Sequence, residues 1–253
     1  MVNPPDAGNA APPTCRNATE YSGVTKREIP DAFRVLAGDI LDCRRCRRNS
    51  DVPGYYPKFG AGSLSRPHAF IVSKNPGEPD EREHGHCRSD GIDTILELSD
   101  EGILSWLEKI AGGGFASALR TSGLDWHRHV YVTQAVKCPY DRNPRLTFFE
   151  DAFYECRYHL NHELALLSPS HVITLGKDAY KAIGLALNAE LPDVDVREWW
   201  KSERLEGIPA NGSRLYPLFL TISQKKGVIA DPLDLGRAFE RVLAIIAQIE
   251  QVR

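Results

Sequence analysis

Four short apolar runs, each closed by turn residues, constrain the fold of this chain more than any other feature. They are HAFIVS (68–73), HVYVTQAV (129–136), HVITLG (171–176) and RLYPLFLTI (214–222). Their β-branched and aromatic content reads as strand. Between them lie segments of helical periodicity: IPDAFRVLAGDIL (29–41), GIDTILELSDEGILSWLEKIAG (91–112, with a break expected near Ser99), LTFFEDAFYECRYHLNHELALL (146–167) and KDAYKAIGLAL (177–187). The third places Phe149, Phe153, Cys156, Leu160 and Leu164 on one helical face. Asp231 as N-cap and Pro232 at the first helical position open a closing helix. Strands alternating with helices predict an α/β fold. The expected form is a single three-layer α/β/α domain with a mainly parallel central sheet of about four strands. Segment 188–213, with Trp199 and Trp200, is the least readable and is assigned an extra hairpin.

The 253 residues are 42% hydrophobic and 26% charged, which suits a soluble globular domain. No apolar run approaches the roughly 18 residues a membrane span needs, so no membrane partner is expected. The opening MVNPPDAGNAAPPT has no hydrophobic stretch like that of a signal peptide. Residues 1–28 are expected to form a disordered tail and residues 29–253 the folded domain. Six cysteines in a chain of this length do not resemble a secreted disulfide scaffold, and the expected location is the cytoplasm. A net charge of −3 provides no global basic field, so nucleic-acid binding would have to use local patches.

In open α/β sheets the functional loops lie beyond the carboxyl ends of the strands. Four such loops are available: 75–81, 137–144, 176–179 and 223–227. A second feature is DCRRCRRNSD (42–51), where Cys43 and Cys46 sit among four arginines. A CxxC pair acts as half of a metal site only if two further ligands arrive from elsewhere. Cys138, after the second strand, and Cys156, on the helix that follows, are the candidates. The competing reading makes both of them buried core thiols, because Cys156 falls on an apolar stripe. Two ligands close in sequence and two distant ones suit either zinc or an iron–sulfur cluster.

The chain resembles the iron–sulfur (family 4) uracil-DNA glycosylases from about residue 40 to about residue 245. The resemblance rests on Cys43 and Cys46, then KFGAGSLSRPHAFIVSKNPGEPDE, then VTQAVKCPYDRNP with Cys138, then Cys156 and HVITLGKDAY. It implies that Cys43, Cys46, Cys138 and Cys156 ligate a structural [4Fe-4S] cluster, zinc being the alternative. Cys15 and Cys87 match no ligand of that family.

The resemblance further implies base excision from DNA. The target nucleotide leaves the stack, and the N-glycosidic bond breaks as charge develops on sugar and base. A side chain must hold the attacking water, and because the bond breaks largely before attack, an amide suffices. The active-site motifs depart from the family. Where its GEAPG motif has Glu and Ala, this chain has Lys74 and Asn75. KNPG instead resembles the G[IM]NPG motif of other branches of the superfamily, whose Asn positions water, so Asn75 takes that role. Asp80 and Glu81 are the second option. The family's pyrimidine-reading Asn is Gln134 here, an amide one methylene longer. Its stacking Phe falls at His86, which reads equally as a solvated loop residue. Its final His–Pro–Ser motif has no counterpart: the last of eight histidines is His171, and the equivalent loop reads TISQKKG. Ser223 and Gln224 would lie near the base. Lys225 and Lys226 would contact DNA phosphates or remain as solvated charge. The expected function is a monofunctional DNA glycosylase, a uracil-DNA glycosylase-like hydrolase of base excision repair. It would act as a monomer on uracil or other deaminated bases, nucleoid-associated when on DNA. The alternative is a catalytically degenerate DNA-binding member of the same superfamily.

Overall fold

The structure, a computed structural model, describes residues 29–43, 45, 59–74, 102–138, 148–201, 205–219 and 232–252. In chain order the elements are α1 (Asp31–Leu41), β1 (Ala61–Gly62), β2 (Ala69–Ser73), α2 (102–110), α3 (Gly114–Ser122), α4 (Trp126–His129), β3 (Val130–Gln134), α5 (Phe148–Leu167), β4 (His171–Leu175), α6 (Lys177–Leu187), α7 (Val196–Trp199), β5 (Ile208–Ala210), β6 (Ser213–Leu218) and α8 (Pro232–Gln251).

Six strands form one sheet in the order β1-β3-β2-β4-β6-β5. The four central strands are parallel: β2 pairs with β3 and β4, and β4 pairs with β6. These are the four apolar runs of the sequence. The sheet is mixed because β1 and β5 add antiparallel edges. β5 and β6 form the extra hairpin expected in 188–213. Its two-residue turn places Asn211 at φ 43° and Gly212 at φ 84°, the paired positive φ of a type I′ turn. Pro217 falls beyond the last β5–β6 pair at Leu215, so its missing N–H takes no ladder bond away.

Strand alternation sends the two side-chain sets to opposite layers. One face carries Ala69, Ile71, Val130, Val132, Ile173, Leu175, Tyr216 and Leu218, packed with buried residues of α2, α3 and α8. The other carries Phe70, Val72, Tyr131, Val172 and Leu215, packed with α1, α5 and α6. The three-layer expectation holds. Each large side chain fully buried this way contributes about 1.5–3 kcal/mol. α5 begins at Phe148 and buries Cys156, Leu160 and Leu164 as its periodicity implied. α8 begins at Pro232. Among the described residues, no helix is long and apolar enough to cross a membrane.

Candidate functional site

The four parallel strands end at one edge of the sheet, and backbone hydrogen bonds extend them beyond it. Ala135 N donates to Ser73 O (2.8 Å) and Val136 N to Lys74 O (2.9 Å), so the exits of β2 and β3 run side by side. Gly176 N donates to Leu218 O (2.7 Å), which joins the exits of β4 and β6. Gly176 adopts φ 89° as it starts α6, a conformation that favours glycine. Lys74 Nζ lies 2.6 Å from Asp178 in the first turn of α6 and fastens the β2 exit to that helix.

β2 leads to helices on one face of the sheet and β3 leads to α5 on the other. The carboxyl edge of these strands is where open α/β sheets place their ligand crevice. Gln134 and Ser73 are register partners there, on the same face. Gln134 is 6% exposed and Ser73 1%. Gln134 Oε1 and Ser73 Oγ have no hydrogen-bond partner among the described residues; Thr174 Oγ1, also without one, lies on the opposite face of the sheet with Val72 and Val172. Buried polar groups are almost always hydrogen-bonded. An unsatisfied pair on one face at the carboxyl edge is an arrangement that a polar ligand would complete.

Beneath the crevice, on the opposite face, lies a buried charged network. Lys137 Nζ donates to Glu163 Oε2 (2.5 Å) and to Thr133 Oγ1 (2.6 Å). Tyr131 OH donates to Glu163 Oε1 (2.9 Å), and the Thr133 hydroxyl lies 3.0 Å from the same oxygen. Burial, and then the adjacent Glu163 carboxylate, raise the Tyr131 pKa well above its ordinary value. The phenol therefore stays protonated as a donor.

Three cysteine-bearing segments approach α5. α1 packs on α5 and delivers Cys43 just past its end. The Arg45 guanidinium stacks 4.0 Å from the centre of the Tyr158 ring. Cys138 follows Lys137, whose ammonium is bound to Glu163 of α5. Cys156 lies on α5, against Val136 and Ala152. Cys138 and Cys156 are both buried. One turn beyond Cys156, His159 is 2% exposed, and neither ring nitrogen has a partner among the described residues. Burial, then Lys137, Arg45 and His162, hold its pKa down to about 4. The donor set is soft thiolate, which suits zinc or an iron–sulfur centre. These residues fit such a centre in their donor chemistry. Among the described residues, however, no three His, Cys, Asp or Glu side chains stand close enough together to hold a metal ion. Cys46 lies outside the described residues.

Also outside them are Asn75, Asp80, Glu81, His86, Ser223, Gln224, Lys225 and Lys226. Of the base-reading candidates, Gln134 alone is described, and it sits at the carboxyl end of β3. His171 is at the other end of β4, where it contacts Tyr216 OH (3.2 Å) and Glu250 (3.2 Å). Sequence reasoning missed Ser73, Thr174, His159 and the pairing of Lys137 with Glu163. An even register along β2 and β3 would have pointed to Ser73. Nothing local distinguishes His159 from its core neighbours.

The family profile of the uracil DNA glycosylase superfamily matches residues 59–228 of this chain. The match takes in the whole carboxyl edge of the sheet, Cys138 and Cys156, and begins after Cys43 and Cys46. The chain is also 24% identical over 160 residues to a type-4 uracil-DNA glycosylase of Sulfurisphaera tokodaii. That alignment covers 60% of this chain and 58% of the relative, so the chain spans less than two thirds of the relative's length.

Proposed function

This chain belongs to the uracil DNA glycosylase superfamily, and from that premise we propose that it is a monofunctional DNA glycosylase. Its reaction would be hydrolysis of the N-glycosidic bond of uracil, or of another deaminated base, in DNA. The observation that carries this reading is Gln134: a buried amide oxygen without a partner among the described residues, beside the equally unsatisfied Ser73 hydroxyl, at the carboxyl ends of β2 and β3. An extruded base presents donors and acceptors on its pairing edge. An amide fixed at the floor of the crevice could pair with that edge in a way that solvent-exposed glutamines cannot.

Around this floor we assign roles to residues of the flanking loops. Asn75 follows Lys74 in the chain, and the Lys74 carbonyl accepts from Val136 N of the β3 exit. It would orient the attacking water, with Asp80 and Glu81 as the carboxylates that could take over. His86 would stack on the base, and Ser223 and Gln224 would contact it. Lys225 and Lys226 would bind phosphates. Cys43, Cys46, Cys138 and Cys156 would hold a [4Fe-4S] cluster, which supplies a covalent tie between the end of α1, the β3 exit and α5.

One observation favours a second reading, a DNA-binding member without catalysis. The last histidine, His171, is engaged with Tyr216 and Glu250 at the amino edge, and no later histidine exists to fill the final motif. Single-turnover assays on single- and double-stranded oligonucleotides carrying uracil, hypoxanthine or xanthine separate the two. The enzyme reading expects base release, and Gln134→Ala should lower it on the order of 10²-fold, the cost typical of one preorganised polar group. DNA affinity should stay within a few-fold. DNA binding without release of any base from the panel would establish the second reading instead.

A further inference from the structure

Among the described residues, His159 is a buried titratable group that neither the base pocket nor the cysteine assignment absorbs. It occupies α5 one turn from Cys156 and is 2% exposed. An imidazole carries a donor and an acceptor when neutral, and buried ones are normally satisfied. Both nitrogens here lack partners among the described residues. The groups around it explain what is missing. Lys137 spends its ammonium on Glu163 and Thr133. Arg45 lies over the Tyr158 ring, and the His162 ring packs on that same Tyr158, 4.1 Å between centroids. Lys137, Arg45 and His162 all act on His159 in the positive sense, and their influence and burial keep its ring neutral. Among the described residues none of these neighbours hydrogen-bonds the ring, and Lys137 and Arg45 face it as cations. They suit an electron-rich, negatively charged group, and they lie beside the face of α5 that carries Cys156.

We propose that His159 donates a ring N–H to a sulfur atom of the iron–sulfur centre, as a positioning residue that orients the centre and raises its reduction potential. This rests on the cluster assignment made above. Hydrogen bonds to cluster sulfurs are among the protein's means of setting potential, because they stabilise the more electron-rich reduced state.

The test uses the full chain, purified anaerobically and labelled with 15N-histidine. Iron and acid-labile sulfide are measured first. Electron–nuclear double resonance on the reduced wild type, exchanged into D2O, should then show a weakly coupled histidine 15N and an exchangeable deuteron. In voltammetry, His159→Phe should move the potential to a more negative value. His159→Gln, which keeps an N–H, should recover part of the shift. An iron-loaded wild type with no histidine coupling overturns the proposal and leaves the cluster assignment standing. An unchanged potential in His159→Phe does the same. A chain that binds about one zinc and no iron overturns the cluster assignment, and this inference falls with it. The wild-type resonance measurement decides the matter even if His159→Phe does not fold.

Discussion

Lys137→Met tests whether the buried charged network holds the β3 exit in place. Lys137 is 1% exposed and Glu163 0%. Their 2.5 Å approach corresponds to a gross attraction of roughly 7 kcal/mol at an effective dielectric near 20. Desolvation of both charges offsets most of that attraction, so the pair itself adds little net stability. The situation changes when one partner is removed. In Lys137→Met the Glu163 carboxylate keeps only the Tyr131 and Thr133 hydroxyls, and its charge stays buried without a counter-charge. Breaking a buried pair from one side costs about 3–5 kcal/mol. For a domain of this size that corresponds to a fall in Tm of about 6–20 °C. The double variant Lys137→Met/Glu163→Leu removes both charges and should be less destabilised than Lys137→Met alone. Thermal unfolding of the wild type, both single variants and the double variant forms a double-mutant cycle. A cost below about 1 kcal/mol for Lys137→Met would refute the reasoning, and so would strict additivity in the cycle.

Three further outcomes are expected. Gly236→Ala should destabilise by about 1–3 kcal/mol, because its Cβ would meet Ala111 O of the α3 approach at 2.9 Å, whereas Gly38→Ala in α1, with nothing within 4 Å, should stabilise by about 0.5–1 kcal/mol; thermal unfolding reads both. The His159 pKa of about 4 lies below the ordinary 6.5, so the unfolded chain binds more protons between these values, and stability should fall as pH is lowered across that window by up to about 1.4 kcal/mol per unit; urea titrations of His159→Gln should show a shallower slope there. Lys225→Ala combined with Lys226→Ala should weaken binding to DNA of any sequence, and the slope of log affinity against log salt should shrink by roughly one unit for each phosphate no longer neutralised; an unchanged slope would remove this loop from the DNA interface.

The parts of the fold legible in the sequence are those that local physics decides. β2, β3, β4 and most of β6 are buried on both faces, so each carries a short, mainly apolar run whose length, flanking turns and β-branched or aromatic content mark it as strand. β5 is three residues long and contains Pro209, so propensity gives no sign of it. The Asn211–Gly212 pair was its available signal, being the strongest short-range mark of a hairpin. β1 has two residues, Ala61 and Gly62, and no pattern can mark so short an edge. At the proposed site, the place of Gln134 at the end of β3 was legible because motif and strand end coincide. The Lys137–Glu163 pair was not. Its members are 26 residues apart in the chain, and each reads alone as an ordinary solvated charge. His159 was hidden for the same reason. Periodicity places it beside Leu160 on the core side, and only the groups that surround it in three dimensions set it apart.

The β3 exit links the proposed base pocket to the proposed cluster, because Gln134 and Cys138 share the stretch VTQAVKCPYDRNP. From Gln134 to Cys138 the chain is fixed at each step. Gln134 closes the ladder against Ser73. Ala135 and Val136 bond to the β2 exit. Lys137 is anchored to Glu163, and Cys138 is buried next. A displacement of Cys138 therefore cannot be absorbed by a flexible linker before it reaches Gln134. On the proposed assignment, a structural cluster would influence base recognition through backbone position rather than through electron transfer. Removal of the cluster should then lower turnover in the same proportion as it loosens the β3 exit. Lys137→Met, which leaves all four cysteines in place, should reproduce part of that decrease.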